Sequence, residues 1–453
     1  MFAYYLDLAW RSLKRTPVLT GLMVLAIGLG IGASMTMVTV LHVMSGDPLP
    51  GRSARLFYPT LDPRPLDKTH RENLDMGNGG NGDNGHDPAV DNLTYVDAMA
   101  LLRAQRAVRQ SAMAGGSVLV QSADPHDVAS PAFVPAHYVT ADFFPMFGVP
   151  LRSGHAWNAK DDEQRARIAV ITPELQQRLF GRDSAVNQSI LLNGQLFTVV
   201  GVTGAWAPQP TFYLDVDSGR PFGYPDQVFI PFLTAIDLDM RVNGTACWGD
   251  NNLVGKARRT SDTCAWAQLW VQLDDAEQVS AYRQFLQGYA ARQHDAGRFQ
   301  RAATSALYPM MAWLARTDWV PGDVRMQLML ALAFLFVCML NIVALLLAKF
   351  LRRSGEISVR RAMGARRRDI FVQLGIESAL IGGLGGALGL LIAQAGLWSV
   401  RARPDDYAHL AQMDLAMLSG TLALAVFVSL LAGLLPAWRA CRVPPALQLK
   451  SGV

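Results

Sequence analysis

Ionisable residues are nearly missing from four long stretches of this 453-residue chain, and Asp, Glu, Lys and Arg together make up only 17% of it. That share is low for a water-soluble protein. Cysteine is sparse, four in all. No C-x-x-C and no His-rich pair is present, so no metal site is read. A phosphate-binding loop is also missing: the nearest approach to G-x-x-x-x-G-K-[ST] is Gly255-Lys256, where Asp250 and Ala257 break the pattern. H-E-x-x-H and G-x-S-x-G do not occur. These gaps leave the chain with no fuel-burning site, no hydrolytic site and no cofactor to expect. A proton- or ion-coupled carrier is disfavoured too, because such carriers place ionisable groups near mid-membrane.

The four stretches themselves are informative. Residues 18–44, 325–348, 371–398 and 415–436 are each long enough, at roughly 20 residues or more, to cross a bilayer. Between the second and third lies a short, very basic loop, 349–370, carrying Lys349, Arg352, Arg353, Arg360, Arg361, Arg366, Arg367 and Arg368. A short loop with that many basic residues stays cytoplasmic. Both termini then fall on the same side, where Arg11, Lys14, Arg15, Arg439, Arg442 and Lys450 agree. The net charge of +4 is thus a topology signal, with no nucleic-acid footprint. Residues 1–17 predict an amphipathic helix on the inner membrane surface with Trp10 at the interface; a simple positively charged flank is the competing reading. Residues 399–414 form a short outer loop and 437–453 a cytoplasmic tail.

Within the spans, Gly28 and Gly32, Gly30 and Ser34, Gly382 and Gly386, and Gly385 and Gly389 are small residues four apart. That spacing predicts close helix packing. Asn341 is the one strongly polar residue of the second span and is expected to bond to a neighbouring helix. Glu377, early in the third span, is expected to be structural and close enough to the interface to reach water.

Residues 45–324 read as one large α/β insert, two-lobed, lying outside the cytoplasm. Asn193-Gly194 between apolar runs predicts a two-residue hairpin turn. Thr172, Pro173 and Gly181 bracket a short helix. Strands are expected at 116–121, 167–172, 227–232 and 265–273, and helices at 91–112, 275–293 and 301–324. Residues 241–263 read as irregular. The Gly/Asn/Asp tract at 73–88 lacks the spaced carboxylates of a calcium loop and reads as a mobile loop. Cys247 and Cys264 pair if the insert is extracytoplasmic; two free thiols is the competing reading. His137, His155 and Asp142 lie near one another in sequence but read as surface or turn residues, not a catalytic set.

Several of these stretches resemble one family. GEISVRRAMGARRRDIFVQLGIESALIGGLGGALG (355–389) and PAWRACRVPPALQLK (436–450) resemble the membrane domain of FtsX/MacB-type ABC transporter permeases. YVTADFFPMFGVPLRSGHAW and SILLNGQLFTVVGV resemble the MacB-type periplasmic core. The resemblance implies an α+β membrane protein of four transmembrane helices with a large periplasmic domain between the first two. It implies a non-catalytic permease in the inner membrane, an ABC ATPase on a separate subunit, a second permease copy or paralogue, and for efflux a periplasmic adaptor. The ATPase would push on the basic loop, through Glu356, Ile357, Arg360, Arg361, Met363, Gly364, Arg367 and Arg368. On helical spacing, Glu356, Arg360, Met363 and Arg367 share one face, and Ile357, Arg361, Gly364 and Arg368 the next. The alternative role for the loop is holding topology against anionic lipid. Efflux of a small molecule or peptide is the leading expectation. Regulation of cell-wall hydrolases, as in FtsX-like members, and lipoprotein release, as in LolC/LolE-like members, are the alternatives.

Overall fold

The computed structural model describes residues 2–66, 91–123, 130–181, 184–214, 222, 225–248, 253–301, 305–317, 322–353, 355–356, 359–360, 363–401 and 415–442. The tract at 73–88, Ile357, Arg361 and most of the outer loop and tail lie outside these residues, as does the side chain of Arg367. The chain divides into two units, residues 46–319 and the two flanking segments together.

The flanking unit is helical. An N-terminal helix, α1 (Phe2–Arg15), is followed by α2 (Pro17–Met44), with Pro17 at the first turn where its missing N–H leaves nothing unbonded. Among the described residues four helices are long and apolar enough to cross a membrane: α2 and three C-terminal ones, Gly322–Arg352, Arg367–Arg401 and Leu415–Arg442. Their packing follows the small residues. A Cβ at Gly28 would meet Leu388 at 2.9 Å, and one at Gly32 would meet Ile392 at 2.7 Å, both on the third span. Gly30 and Ser34 turn instead to the second span: Gly30 faces Cys338, and Ser34 donates to the Ala331 carbonyl at 3.0 Å. Gly385 and Gly389 face Ile27 and Gly28, whereas Gly382 and Gly386 face Ser429 and Ala425 of the fourth span. Each small-residue pair therefore admits a different neighbour.

Residues 46–319 build an α/β domain on one sheet. Its strands are β1 (Leu56–Leu61), β2 (Leu93–Thr94), β3 (Arg109–Ser122), β4 (Ala132–Val139), β5 (Leu151–Gly154), β6 (Ile168–Ile171), β7 (Ser189–Leu192), β8 (Gln195–Thr203), β9 (Val228–Pro231), β10 (Ala246–Cys247), β11 (Cys264–Gln272) and β12 (Ser305–Pro309). They run in the order β12-β1-β11-β3-β4-β9-β6-β8-β5, with β2 and β10 against β11 and β7 against β3 and β8. Alternate residues of one strand enter different cores: Ala112 and Ala114 of β3 join one cluster and Met113 the other. The two hydrophobic cores thus lie on opposite faces of the sheet.

Local signals place several elements. Asn193 (φ 50°) and Gly194 (φ 76°) both adopt positive φ in the β7–β8 turn, the conformation a two-residue hairpin needs. Thr172 accepts from the Leu175 N–H, and Gly181 (φ 60°) ends the helix Pro173–Phe180. Asp275 caps the helix Ala276–Asp295 by accepting from the Gln278 N–H.

Three expectations need correction. The helix expected over 91–112 stops at Ala104, where Gln105 takes a left-handed conformation, and from Arg109 the chain is β3. Sheet pairing with β11 overrides the helical spacing there. Residues 301–324 are not one helix: Ser305–Pro309 pairs with β1, and a short helix, Met310–Arg316, buries Trp313 stacked on Tyr58 at 4.0 Å. Residues 241–263 include β10 and a short helix, Gly255–Arg259.

Candidate functional site

The basic loop between the second and third spans is anchored by a buried ion cluster. Lys349, in the last turn of the helix Gly322–Arg352, places Nζ 2.7 Å from Glu377 Oε1, with both side chains essentially sealed (1% and 0% exposed). Ser12 of α1 donates to the same carboxylate at 2.5 Å. Arg353 donates to Glu377 Oε2 at 3.5 Å and also contacts Ser12. Three chain segments thus converge on one carboxylate. Glu377 does not reach water as the sequence implied; it is wholly buried, and its charge is offset by Lys349 and Arg353. Breaking such a cluster is costly because the remaining charge has nowhere to hydrate.

Arg353 also faces outward. Its Nε lies 3.7 Å from Glu356, Glu356 accepts from Arg360 at 3.1 Å, and Arg360 donates to Gln373 at 3.2 Å. Arg353, Glu356, Arg360, Ile370, Gln373 and Leu374 line a shallow cleft. Beside it Met363 and Val359 stand 76% and 50% exposed. The expected long helical faces are interrupted. Gly364 takes φ 101°, and a new helix begins at Arg367, so Met363 and Gly364 sit in a turn apart from the face of Arg367 and Arg368. Arg368 is exposed. Ser12 and Gln373 carried no sequence signal, and Lys349 was legible only as a topology charge. A Lys–Glu pair 28 positions apart across a helix break has no readable periodicity.

In the α/β domain, Cys247 and Cys264 face one another across the β10–β11 pair and are joined by a disulfide. His137 is not a surface residue: it is fully buried in β4, with Nδ1 3.0 Å from Asp226 and Tyr213 edge-on to its ring. His155 is exposed, bonded to its neighbour's carbonyl, and Asp142 accepts from the Gln110 N–H. The three do not form a catalytic set. Among the described residues no group of His, Cys, Asp and Glu is arranged to hold a metal ion.

Asp162 titrates unusually. Burial pushes its carboxyl up to about 7, against the opposing pull of hydrogen bonds from the Ala141 N–H and Trp157 Nε1. A carboxyl raised in the folded state stabilises the fold fully below its unfolded value near 3.9 and loses that contribution as pH climbs through about 7. The α/β domain is therefore expected to lose about 2 kcal/mol between pH 5.5 and 8.5. Urea unfolding of the protein at a series of pH values, followed by tryptophan fluorescence, checks this. Asp162→Asn should flatten the dependence.

Comparison with known proteins bears on both units. The family described as MacB-like periplasmic core domain matches residues 20–289, and the FtsX-like permease C-terminal family matches 328–445. The macrolide export ATP-binding/permease protein MacB of Rhodospirillum rubrum is 25% identical over 99% of this chain and 60% of its own length. The pyoverdine export ATP-binding/permease protein PvdT of Pseudomonas syringae pv. tomato is 28% identical over 68% of this chain and 41% of its own. The chain thus spans less than two thirds of either relative. The crystal structure of the periplasmic region of MacB from Actinobacillus actinomycetemcomitans aligns with 60% of this chain and 97% of its own, at 10% identity and a TM-score of 0.36. With one family covering residues 20–289 and the other most of the remainder, the chain belongs to the MacB-like, FtsX-like ABC transporter permeases.

Proposed function

We propose that the chain is a non-catalytic permease subunit that turns ATP hydrolysis on a partner ABC ATPase into movement of its α/β domain, in an efflux system for a small molecule or peptide. The carrying observation is the anchored basic loop. Exposed Met363 and Val359 offer an apolar foothold, and Arg360 and Glu356 lead from it through Arg353 to the buried Glu377 cluster. Apolar anchors ringed by charge suit a groove on a partner protein.

The topology fits. The basic residues of the loop and of α1 hold those segments in the cytoplasm of an inner-membrane protein, with the α/β domain in the periplasm. The Cys247–Cys264 disulfide agrees, since such bonds persist in oxidising compartments. Macrolide and pyoverdine export in the relatives' names favour a small-molecule cargo. A second permease and a periplasmic adaptor complete the proposed assembly.

The test is coupling. The partner ATPase is captured by pull-down of the detergent-solubilised chain and reconstituted with it. Replacing Arg360, Arg361 and Met363 together by alanine should cut permease-stimulated ATP hydrolysis at least about tenfold, the loss of about 1.4 kcal/mol of contact. Membrane insertion should be unchanged. Undiminished stimulation in that variant refutes the role given to the loop.

A further inference from the structure

The helix α1 has two unlike sides. Ala9, Ser12 and Leu13 are buried within the helical unit. On the other side Leu6, Trp10 and Lys14 fall in one row at steps of four, and Asp7, Arg11 and Arg15 in the next, all of them exposed. Leu6 and Trp10 are 42% and 45% exposed, and the Lys14 ammonium lies over the Trp10 ring, 5.6 Å from its centre. Asp7 is the one acid of α1, and Arg11 holds it at 2.8 Å. The outer side therefore carries apolar groups amid a basic excess.

Water does not suit that side. A lone 14-residue helix is marginal in water, and leaving Leu6 and Trp10 bare adds to the cost. Only Thr16 separates α1 from the first span, so α1 stays at the membrane surface. Along the chain the row of Leu6, Trp10 and Lys14 continues with Val18, Leu22, Leu25 and Leu29, exposed on that span. Lipid covers the span's stripe, and by continuity it covers the row on α1. Apolar groups amid basic ones fit the boundary between acyl chains and anionic headgroups.

The buried side leads elsewhere. Ser12 donates to Glu377 at 2.5 Å and contacts Arg353. Glu377 in turn meets Arg353, whose Nε lies 3.7 Å from Glu356 of the basic loop. α1 thus has lipid on one side and the anchor of the loop on the other. We propose that α1 is a binding surface for anionic phospholipid, and that the bound lipid steadies the basic loop through Ser12. An uncharged bilayer covers Leu6 and Trp10 but offers Arg11, Lys14 and Arg15 no net counter-charge; an anionic headgroup does. Lipid that binds the docked helix better than a detached one favours the docked state. Docking is what brings Ser12 to Glu377. This goes beyond the coupling reading and does not rest on it.

The test uses the full-length chain in bilayers. Leu6→Cys, with Cys338 and Cys441 replaced by serine, carries a fluorophore. The quenchers are phosphatidylglycerol or phosphatidylcholine bearing a nitroxide high on the acyl chain. At equal mole fraction the anionic lipid should quench about three to five times more strongly. The preference should vanish in the triple variant Arg11→Gln, Lys14→Gln, Arg15→Gln and rise in Asp7→Asn. Hydrogen exchange followed by mass spectrometry reads the loop. Amides of residues 363–370 should exchange at least about threefold more slowly when phosphatidylglycerol is present. Ser12→Ala should keep the quenching preference and lose that slowing. Equal quenching by the two lipids, or a preference that survives the triple variant, overturns the lipid surface. Loop exchange indifferent to lipid, or slowing that persists in Ser12→Ala, overturns the link to the loop. No ATP or ATPase enters either measurement, so a failure here is separable from failure of the coupling test.

Discussion

Replacing Glu377 by alanine is expected to destabilise the helical unit by about 3–5 kcal/mol. The carboxylate is the sole acidic group among the described residues that meets Lys349, whose side chain is 1% exposed. Without Glu377 the ammonium stays buried, next to Arg353, with no counter-charge. Ser12 loses its acceptor as well, and with it the polar tie that holds α1 to the start of the third span. Unfolding by denaturing detergent, followed by circular dichroism, reads the loss. Two further variants separate the causes. Glu377→Gln keeps an acceptor for Ser12 but not the charge, and should fall between. The double variant Lys349→Met with Glu377→Leu removes both charges and should lie near the parent stability, since a buried ion pair gives little net stability over well-packed apolar groups. An alanine variant as stable as the parent would refute the buried cluster.

Replacing Arg298 by methionine is expected to cost the α/β domain a similar amount, about 3–5 kcal/mol. Asp97 is fully buried at the start of the helix Tyr95–Ala104. It accepts from Thr94 at 2.6 Å, from Tyr289 at 2.7 Å and from Arg298 at 3.1 Å. Two hydroxyls satisfy part of the carboxylate but none of its charge. Loss of the guanidinium therefore leaves a buried anion where the helix Tyr95–Ala104 meets Tyr289 of the helix Ala276–Asp295. Arg298→Lys should recover only part, because an ammonium cannot reproduce the two-pronged contact. A lowered urea midpoint by tryptophan fluorescence is the expected readout, and an unchanged midpoint would show that Asp97 is held by the hydroxyls alone.

Much of the architecture was readable along the chain because its causes are local. The spans follow from uninterrupted apolar length, the β7–β8 hairpin from Asn193-Gly194, and the helix ends at Thr172 and Gly181 from caps a few residues away. What misled was also local. Val96, Met99, Leu102 and Val108 have helical spacing, yet Val108 lies beyond the helix end and is exposed, because the following residues pair with β11 from far along the chain. His137 read as a surface residue, but β4 carries it inside between β3 and β9.

The candidate site divides the same way. The basic loop, its arginines and its neighbouring glycine pairs could be named from sequence, because charge density and four-residue spacing need no partner to be seen. The break at Gly364 could not, since a φ of 101° is one choice among many for glycine. Nor could the meeting of Ser12, Lys349, Arg353 and Glu377, drawn from three separate segments of the chain. By itself the sequence determined which segments enter the membrane and which charges stay out of it, because transfer from water depends on each stretch's own composition. Only the tertiary structure decided which buried charge meets which, because that pairing depends on helix rotation and depth, quantities that no single segment carries.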